Sequence, residues 1–134
     1  MDEIDKKIIG ILRKNCRTPI TTIAKKVNLT EGAVRYRINE MSKRGDIKSF
    51  TIETREEIKA IVLVSTKPEI ETEEVSKAIK NIPDVVNVYE VSGDYDIICM
   101  VRRESVRDIN ETIEKIRAVE GVLETVTCLI LRNS

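Results

Sequence analysis

The chain has 134 residues, 41% of them hydrophobic and 34% charged, with 23 basic and 23 acidic side chains. That is room for one ordinary domain or two small ones, with a core of Ile, Val, Leu and Ala, since aromatics supply only 3%. Histidine is absent, which removes the usual general base and the commonest transition-metal ligand. Cys16, Cys99 and Cys128 are odd in number and widely spaced, so they read as small apolar core residues rather than a metal site or disulfide framework. No cofactor or metal is expected. No apolar run approaches the roughly 18 residues of a membrane span and no signal-peptide pattern opens the chain, so a cytoplasmic protein is expected. Gln and Trp are missing while Ile, Lys and Glu abound, a bias that fits a thermophile. The neutral total hides a split. Residues 1–55 carry a balance of +6 and residues 56–134 a balance of −6, which suggests two modules with different partners.

The first helix begins after Asp2, with Ile4, Ile8, Ile11 and Leu12 on one face and Asp5 three residues beyond the cap. Asn15 to Thr18 closes it. Pro19 suits the first turn of a second helix capped by Thr18, with Ile20, Ile23 and Ala24 inward. In "VNLT", Asn28 tolerates a left-handed turn, Val27 and Leu29 can anchor it, and Thr30 caps a third helix. Val34, Ile38 and Met41 mark the inward face of that helix, and Gly45 stops it. Helix, helix, four-residue turn, helix, with the small Ala24 at the close approach, is what a helix-turn-helix requires. "IKSFTI" (47–52) alternates like a strand and predicts a small wing. "ETREE" (53–57) has no apolar residue and predicts a linker.

After it the period changes. "IKAIVLVST" (58–66) predicts a strand. Thr72 caps a helix with Val75, Ala78, Ile79 and Ile82 inward, ended by Pro83. Residues 85–92 and 95–103 predict a hairpin about Gly93-Asp94. Ser105 caps a further helix with Val106, Ile109, Ile113 and Ile116 inward and Gly121 as its stop, and residues 122–132 predict a last strand. The order β-α-β-β-α-β is ferredoxin-like. Right-handed crossovers place both helices on one sheet face. The strands are apolar on both parities, so the other face predicts a partner, most economically a second copy.

"IDKKIIGILRKNCR" (4–17), "IAKKVNLTEGAVRYRINEMSKRGDI" (23–47) and "VSGDYDIICMV" (91–101), in this order, resemble the Lrp/AsnC family, the feast/famine regulators of bacteria and archaea. The resemblance spans essentially the whole chain. It implies an α+β protein: a winged helix-turn-helix DNA-binding domain at 1–52, a linker at 53–57, and a ferredoxin-like RAM/AsnC-type domain at 58–134 for dimerisation and effector binding. It further implies a sequence-specific transcriptional regulator of double-stranded DNA, tuned by a small effector, usually an amino acid. Its homodimers would pair sheet to sheet and assemble further, commonly to octamers. The chain departs from the family pattern twice. Asn28 stands where a glycine is frequent, and "IETREEIK" (52–59) is a shorter hinge without Asn-Pro, which bears on half-site spacing.

In a helix-turn-helix the front of the second motif helix meets base edges. By position this nominates Thr30, Glu31, Gly32, Ala33, Arg35, Tyr36 and Arg37, with the two arginines able to grip guanine. Thr21, Thr22 and Lys25 on the preceding helix suit phosphates, and Lys43, Arg44 and Lys48 are flank or wing candidates. In the second half, "SGDYD" (Ser92, Gly93, Asp94, Tyr95, Asp96) reads from its residues either as a hairpin turn with solvated carboxylates or as a ligand site. Backbone amides at Gly93 could receive a carboxylate, and Asp94 and Asp96 an ammonium. The resemblance places this loop at the effector pocket, with Thr125 and Thr127 from the last strand. Asp108 and Glu111 could select a cationic side chain. Two other readings compete: an oligomeric architectural DNA binder without effector, and a ferredoxin-like enzyme using Asp94 and Asp96. The enzyme reading lacks a histidine, a phosphate-binding glycine loop and a nucleophile beside a base.

Overall fold

A computed structural model describes residues 1–55 and 57–132. Glu56, inside the predicted linker, and residues 133 and 134 lie outside the described residues. The chain divides into two compact units, Met1–Glu53 and Thr54–Ser134.

The first unit holds α1 (Glu3–Lys14), α2 (Ile20–Val27) and α3 (Glu31–Arg44). The Asp2 carboxylate accepts the amide of Asp5 at 2.8 Å, satisfying one of the free donors at the start of α1. Ile8, Ile23, Val34 and Met41 are fully buried and meet at the centre, with Ala24 and Val27 beside them. Each such aliphatic side chain stabilises the unit by about 1.5–3 kcal/mol relative to exposure. The α2–α3 turn is built as its residues require. Asn28 takes the left-handed conformation at φ 55°, ψ 46°, the Leu29 amide donates to the Ala24 carbonyl at 3.1 Å, and the Thr30 hydroxyl accepts the Ala33 amide at 3.1 Å.

Two local expectations change. Thr18 does not cap α2. Pro19 is extended at ψ 144°, so the helix starts at Ile20, and the Thr18 hydroxyl turns back to donate to the Asn15 carbonyl at 2.6 Å. The wing is also absent, since residues 47–52 form no strand. Alternation makes a strand possible, but a ladder partner makes it real, and none pairs with this stretch among the described residues. The stretch is instead tethered at its ends: the Ile47 amide donates to the Met41 carbonyl, and the Cys16 thiol to the Thr51 carbonyl.

The second unit runs β1 (Ile58–Thr66), α4 (Thr72–Lys80), β2 (Val85–Glu90), β3 (Ile97–Arg103), α5 (Val106–Arg117), β4 (Val122–Leu129). The strands form one antiparallel sheet in the order β2-β3-β1-β4. Both helices pack on the face carrying Ala60, Val62 and Val64 of β1 and Ile97, Cys99 and Val101 of β3, through Val75, Ile79, Ile109, Ile113 and Ile116. Ala78 and Val106, expected inward, are exposed, because the stripes Val75–Ile79 and Ile109–Ile113–Ile116 already fill the contact. Thr72 does not cap α4 either; Glu71 holds that position, and the Thr72 hydroxyl lies 3.4 Å from that of Thr66. Gly121 cannot be replaced quietly. Its φ is 100°, and a Cβ there would stand 2.6 Å from the Val75 Cγ2.

On the opposite face the register lines up Asn87, Met100, Ile61 and Cys128 in one row, and Tyr89, Ile98, Leu63 and Val126 in the next. No described element of this unit covers them. Cys128 is therefore exposed; Cys16, in the first unit, is half-buried, and Cys99 is the one cysteine that sits in the core as expected.

Candidate DNA-reading face and effector loop

The helical period of α3 separates its side chains into two sets. Val34 and Met41 point into the core. Glu31, Gly32, Arg35, Tyr36, Asn39 and Lys43 are exposed and follow one another at helical spacing along an outer face. Arg35 makes no ion pair among the described residues. Gly32 has open space where a Cβ would stand, so its cost to the helix, about 1 kcal/mol against alanine, has no packing reason inside the chain. Ala33 is half-buried. On α2, Thr21 and Lys25 are exposed and Thr22 half-buried, while Lys48 is exposed beyond α3. Lys43 is loosely paired with Glu40 at 3.6 Å. Asn39 was not among the residues nominated from the sequence. Its signal was available: it lies four positions after Arg35 and three after Tyr36, on the same face, and asparagine can bond adenine bidentately.

Arg37 stands apart from this set. It is half-buried, and its Nη1 donates to Asp2 Oδ2 at 2.7 Å and to Asp5 Oδ1 at 3.0 Å. The Arg37 hydrogen bond, helped by the Asp5 amide, holds the Asp2 carboxyl below the usual carboxylate range. The same contacts, with Asp2 first and then Asp5, raise the Arg37 guanidinium above its ordinary value. Arg44 is likewise engaged. Its Nε donates to Asp46 at 2.9 Å, which raises its pKa, and its Nη2 lies 3.6 Å from Asp5 Oδ2.

In the second unit the 92–96 stretch closes the β2–β3 hairpin. Gly93 sits at φ 126°, which a side chain would strain. Ser92, Gly93 and Asp94 are exposed, and Tyr95 and Asp96 half-buried. The two aspartates differ. Asp96 Oδ2 accepts the Thr66 amide at 2.8 Å and the Thr66 hydroxyl at 3.1 Å, so it braces the end of β1. Asp94 has no partner among the described residues. Glu90, Ile97, Val64 and Thr125 share one rung, which brings Thr125 to the end of the sheet where the hairpin closes. Its hydroxyl accepts Arg117 Nε at 3.1 Å. Thr127 lies a step further along β4, exposed on the same face.

Asp108 is not brought to this loop. It sits 3.8 Å from Arg103 Nη2, at the other end of β3, roughly 20 Å from the hairpin at the usual rise per residue. Arg103 also meets Asp84 at 3.5 Å and donates to the buried Thr112 hydroxyl at 2.8 Å. Glu111 lies 3.8 Å from Lys115. Two open clefts, of about 840 and 460 Å³, lie in the first unit, and neither is lined by residues of the hairpin loop.

An AsnC-type helix-turn-helix domain model matches residues 1–42, and the Lrp/AsnC ligand binding domain model matches residues 59–134. The chain belongs to the Lrp/AsnC family of transcriptional regulators. It is 52% identical to the HTH-type transcriptional regulator LysM of Sulfurisphaera tokodaii, over 98% of this chain and 96% of that protein. Its fold is similar to the crystal structure of PH0061, with a TM-score of 0.88 and 25% identity, covering 100% of this chain and 95% of that one. A feast or famine regulatory protein of M. tuberculosis, complexed with L-methionine, shares the fold with a TM-score of 0.82 and 22% identity, over 98% of this chain and 92% of that one. The helix-turn-helix and ferredoxin-like arrangement expected from the sequence is thus that of an Lrp/AsnC transcription regulator.

Proposed function

We propose that this Lrp/AsnC regulator reads double-stranded DNA through the outer face of α3. Gly32, Arg35, Tyr36 and Asn39 would meet base edges, with Thr30, Glu31 and Ala33 at the helix front. Thr21, Thr22, Lys25, Lys43 and Lys48 would meet phosphates. The observation that carries this reading is Arg35, an exposed guanidinium with no ion pair among the described residues, one turn after a glycine that leaves the helix front open. One bidentate arginine–guanine pair discriminates by about 1–3 kcal/mol. DNA reading is assigned to residues 1–52, and effector binding and dimerisation to 58–134, with 53–57 between them.

The effector is an amino acid held at the 92–96 loop, with Asp94 free for its ammonium group and Gly93 amides for its carboxylate. Asp96 supports the loop, and Thr125 and Thr127 flank it. A fold neighbour holding L-methionine supports this ligand class. The loop is open to solvent in one chain, whereas small-ligand sites bury most of their ligand. A second copy therefore completes the pocket, and the uncovered apolar sheet face provides a surface for pairing. The chain is not an enzyme: its relative is named a transcriptional regulator, and one carboxylate of the Asp94–Asp96 pair is committed to Thr66. It acts in the cytoplasm, where its DNA lies; no described helix is long and apolar enough to cross a membrane.

Fluorescence anisotropy tests this. A duplex selected by the protein from a randomised pool is compared with a shuffled duplex, across a salt series, with and without the twenty amino acids. Preference for the selected duplex, a steep negative salt slope and a shift with one amino acid are expected. Arg35→Ala should lower the preference about 10-fold or more while keeping the fold. Equal affinity for both duplexes would sink the regulator reading. Preference without any amino-acid response would leave an architectural binder.

A further inference from the structure

Four charged residues tie the first helix to the third. Asp5 is buried, with its side chain 9% exposed, and it faces two guanidinium groups of α3, those of Arg37 at 3.0 Å and Arg44 at 3.6 Å. Arg37 and Arg44 are seven positions apart, two helical turns, so their long side chains converge on one carboxylate from two separate turns of α3. Asp2 takes the second contact of Arg37 at 2.7 Å while its other oxygen caps α1. Asp46 takes Arg44 at 2.9 Å. An unpaired buried carboxylate would be strongly unfavourable, so rotation or sliding of α3 that broke both contacts of Asp5 is resisted. The apolar contacts in the same core are less directional, being Ile, Val and Met surfaces that tolerate small shifts.

We propose that Asp5 is a positioning residue for DNA reading. It fixes the rotation of α3 through Arg37 and Arg44, so that Arg35, Tyr36 and Asn39 meet the groove in register, and together with Asp2 and Asp46 it withholds both arginines from phosphate. Arg37, nominated from the sequence as a base contact, is then a strut. Specificity depends on an acidic residue that never touches DNA. This rests on α3 being the reading helix, as proposed above.

The test uses the full chain and the same two duplexes. Asp5→Asn keeps the shape and the Asp2 cap but removes the buried charge. The expected result is at least a 10-fold fall in the ratio of selected to shuffled affinity. Shuffled-duplex affinity rises a few fold, and the salt slope steepens by about 1–2 as the arginines, left only with the more exposed carboxylates of Asp2 and Asp46, exchange them for phosphates. Equal losses on both duplexes with an unchanged slope would mean that Asp5 merely stabilises the fold, and would overturn the proposal. Arg37→Gln provides the second arm should Asp5→Asn fail to fold. As a strut, its loss lowers the affinity ratio and leaves the salt slope of the selected duplex unchanged, with partial rescue by Arg37→Lys. A slope shallower by about 0.9 would make Arg37 a phosphate contact and overturn the proposal. A wild-type chain that selects no sequence defeats the reading of α3 itself, a failure distinct from either of these.

Discussion

The two faces of the sheet in the second unit are made from the same strands and nearly the same residue types, yet they end in opposite environments. Ala60, Val62 and Val64 alternate along β1 with Ile61 and Leu63. The first set is fully buried under α4 and α5, and the second remains half-exposed. Across the register, Val62 faces Cys99 and Thr127, while Leu63 faces Ile98 and Val126. Hydrophobicity therefore does not distinguish the faces. What distinguishes them is the hand of the two crossovers, which lays both helices on one side. An apolar parity left open by the crossovers is a surface for something else, and the pairing proposed above would use it.

Substitutions on the two faces should tell them apart. Val62→Asp buries an unpaired charge against α4 and α5 and is expected to cost several kcal/mol, out of roughly 5–15 kcal/mol in all. Thermal unfolding followed by circular dichroism should show the second unit lost. Leu63→Asp, one residue away, should keep its helical and strand signal while light scattering reports a smaller assembly. If both variants unfold, or neither changes the mass, the two faces are not different in kind. Gly121→Ala drives a methyl into Val75 at a left-handed backbone position, and is expected to destabilise by about 1–3 kcal/mol without altering assembly. Chemical denaturation at several protein concentrations would separate those two effects.

The smallest effects concern the two cysteines of this unit. Burial pushes the Cys99 thiol up to about 11, from an ordinary value of 9.0. A pKa raised by folding gives a contribution that is whole below 9.0 and is lost as pH climbs toward about 11. The melting temperature of the wild type should thus fall more steeply over that window than that of Cys99→Ala. Cys128, on the open face, should react with an aromatic disulfide reagent at pH 8 well before Cys99 does, and, under the proposed pairing of copies, more slowly as protein concentration rises. Equal rates at the two thiols would contradict the assignment of the faces.

Much of the fold was legible because local chemistry and pattern agreed. The Asp2, Thr30 and Ser105 caps, the left-handed Asn28, and the stripes Val75–Ile79 and Ile109–Ile116 stand where their residues call for them. The misses share a cause. Alternation in 47–52 asked for a strand, but a strand needs a partner that short-range sequence does not name. Thr18 and Thr72 looked like caps, but Pro19 and Glu71 hold those positions in the backbone. At the candidate sites, residue type and spacing nominated Arg35 and Arg37 alike, and Asp94 and Asp96 alike.

Residue order alone was enough for the three helices and their helix-turn-helix turn, the ferredoxin-like alternation, the charge split between the halves and the existence of a second apolar parity. These follow from hydrophobic period, capping chemistry and backbone tolerance, all of which act within a few residues. Tertiary structure alone decided which member of each like pair is free. Arg37 is taken by Asp2 and Asp5, 35 and 32 positions away, while Arg35 stays open. Asp96 is taken by Thr66, 30 positions away, while Asp94 faces solvent. Asp108 is drawn to Arg103, away from the loop it was expected to join. Ion pairs and hydrogen bonds are satisfied by proximity in space, and that proximity is set only when the helices and strands pack.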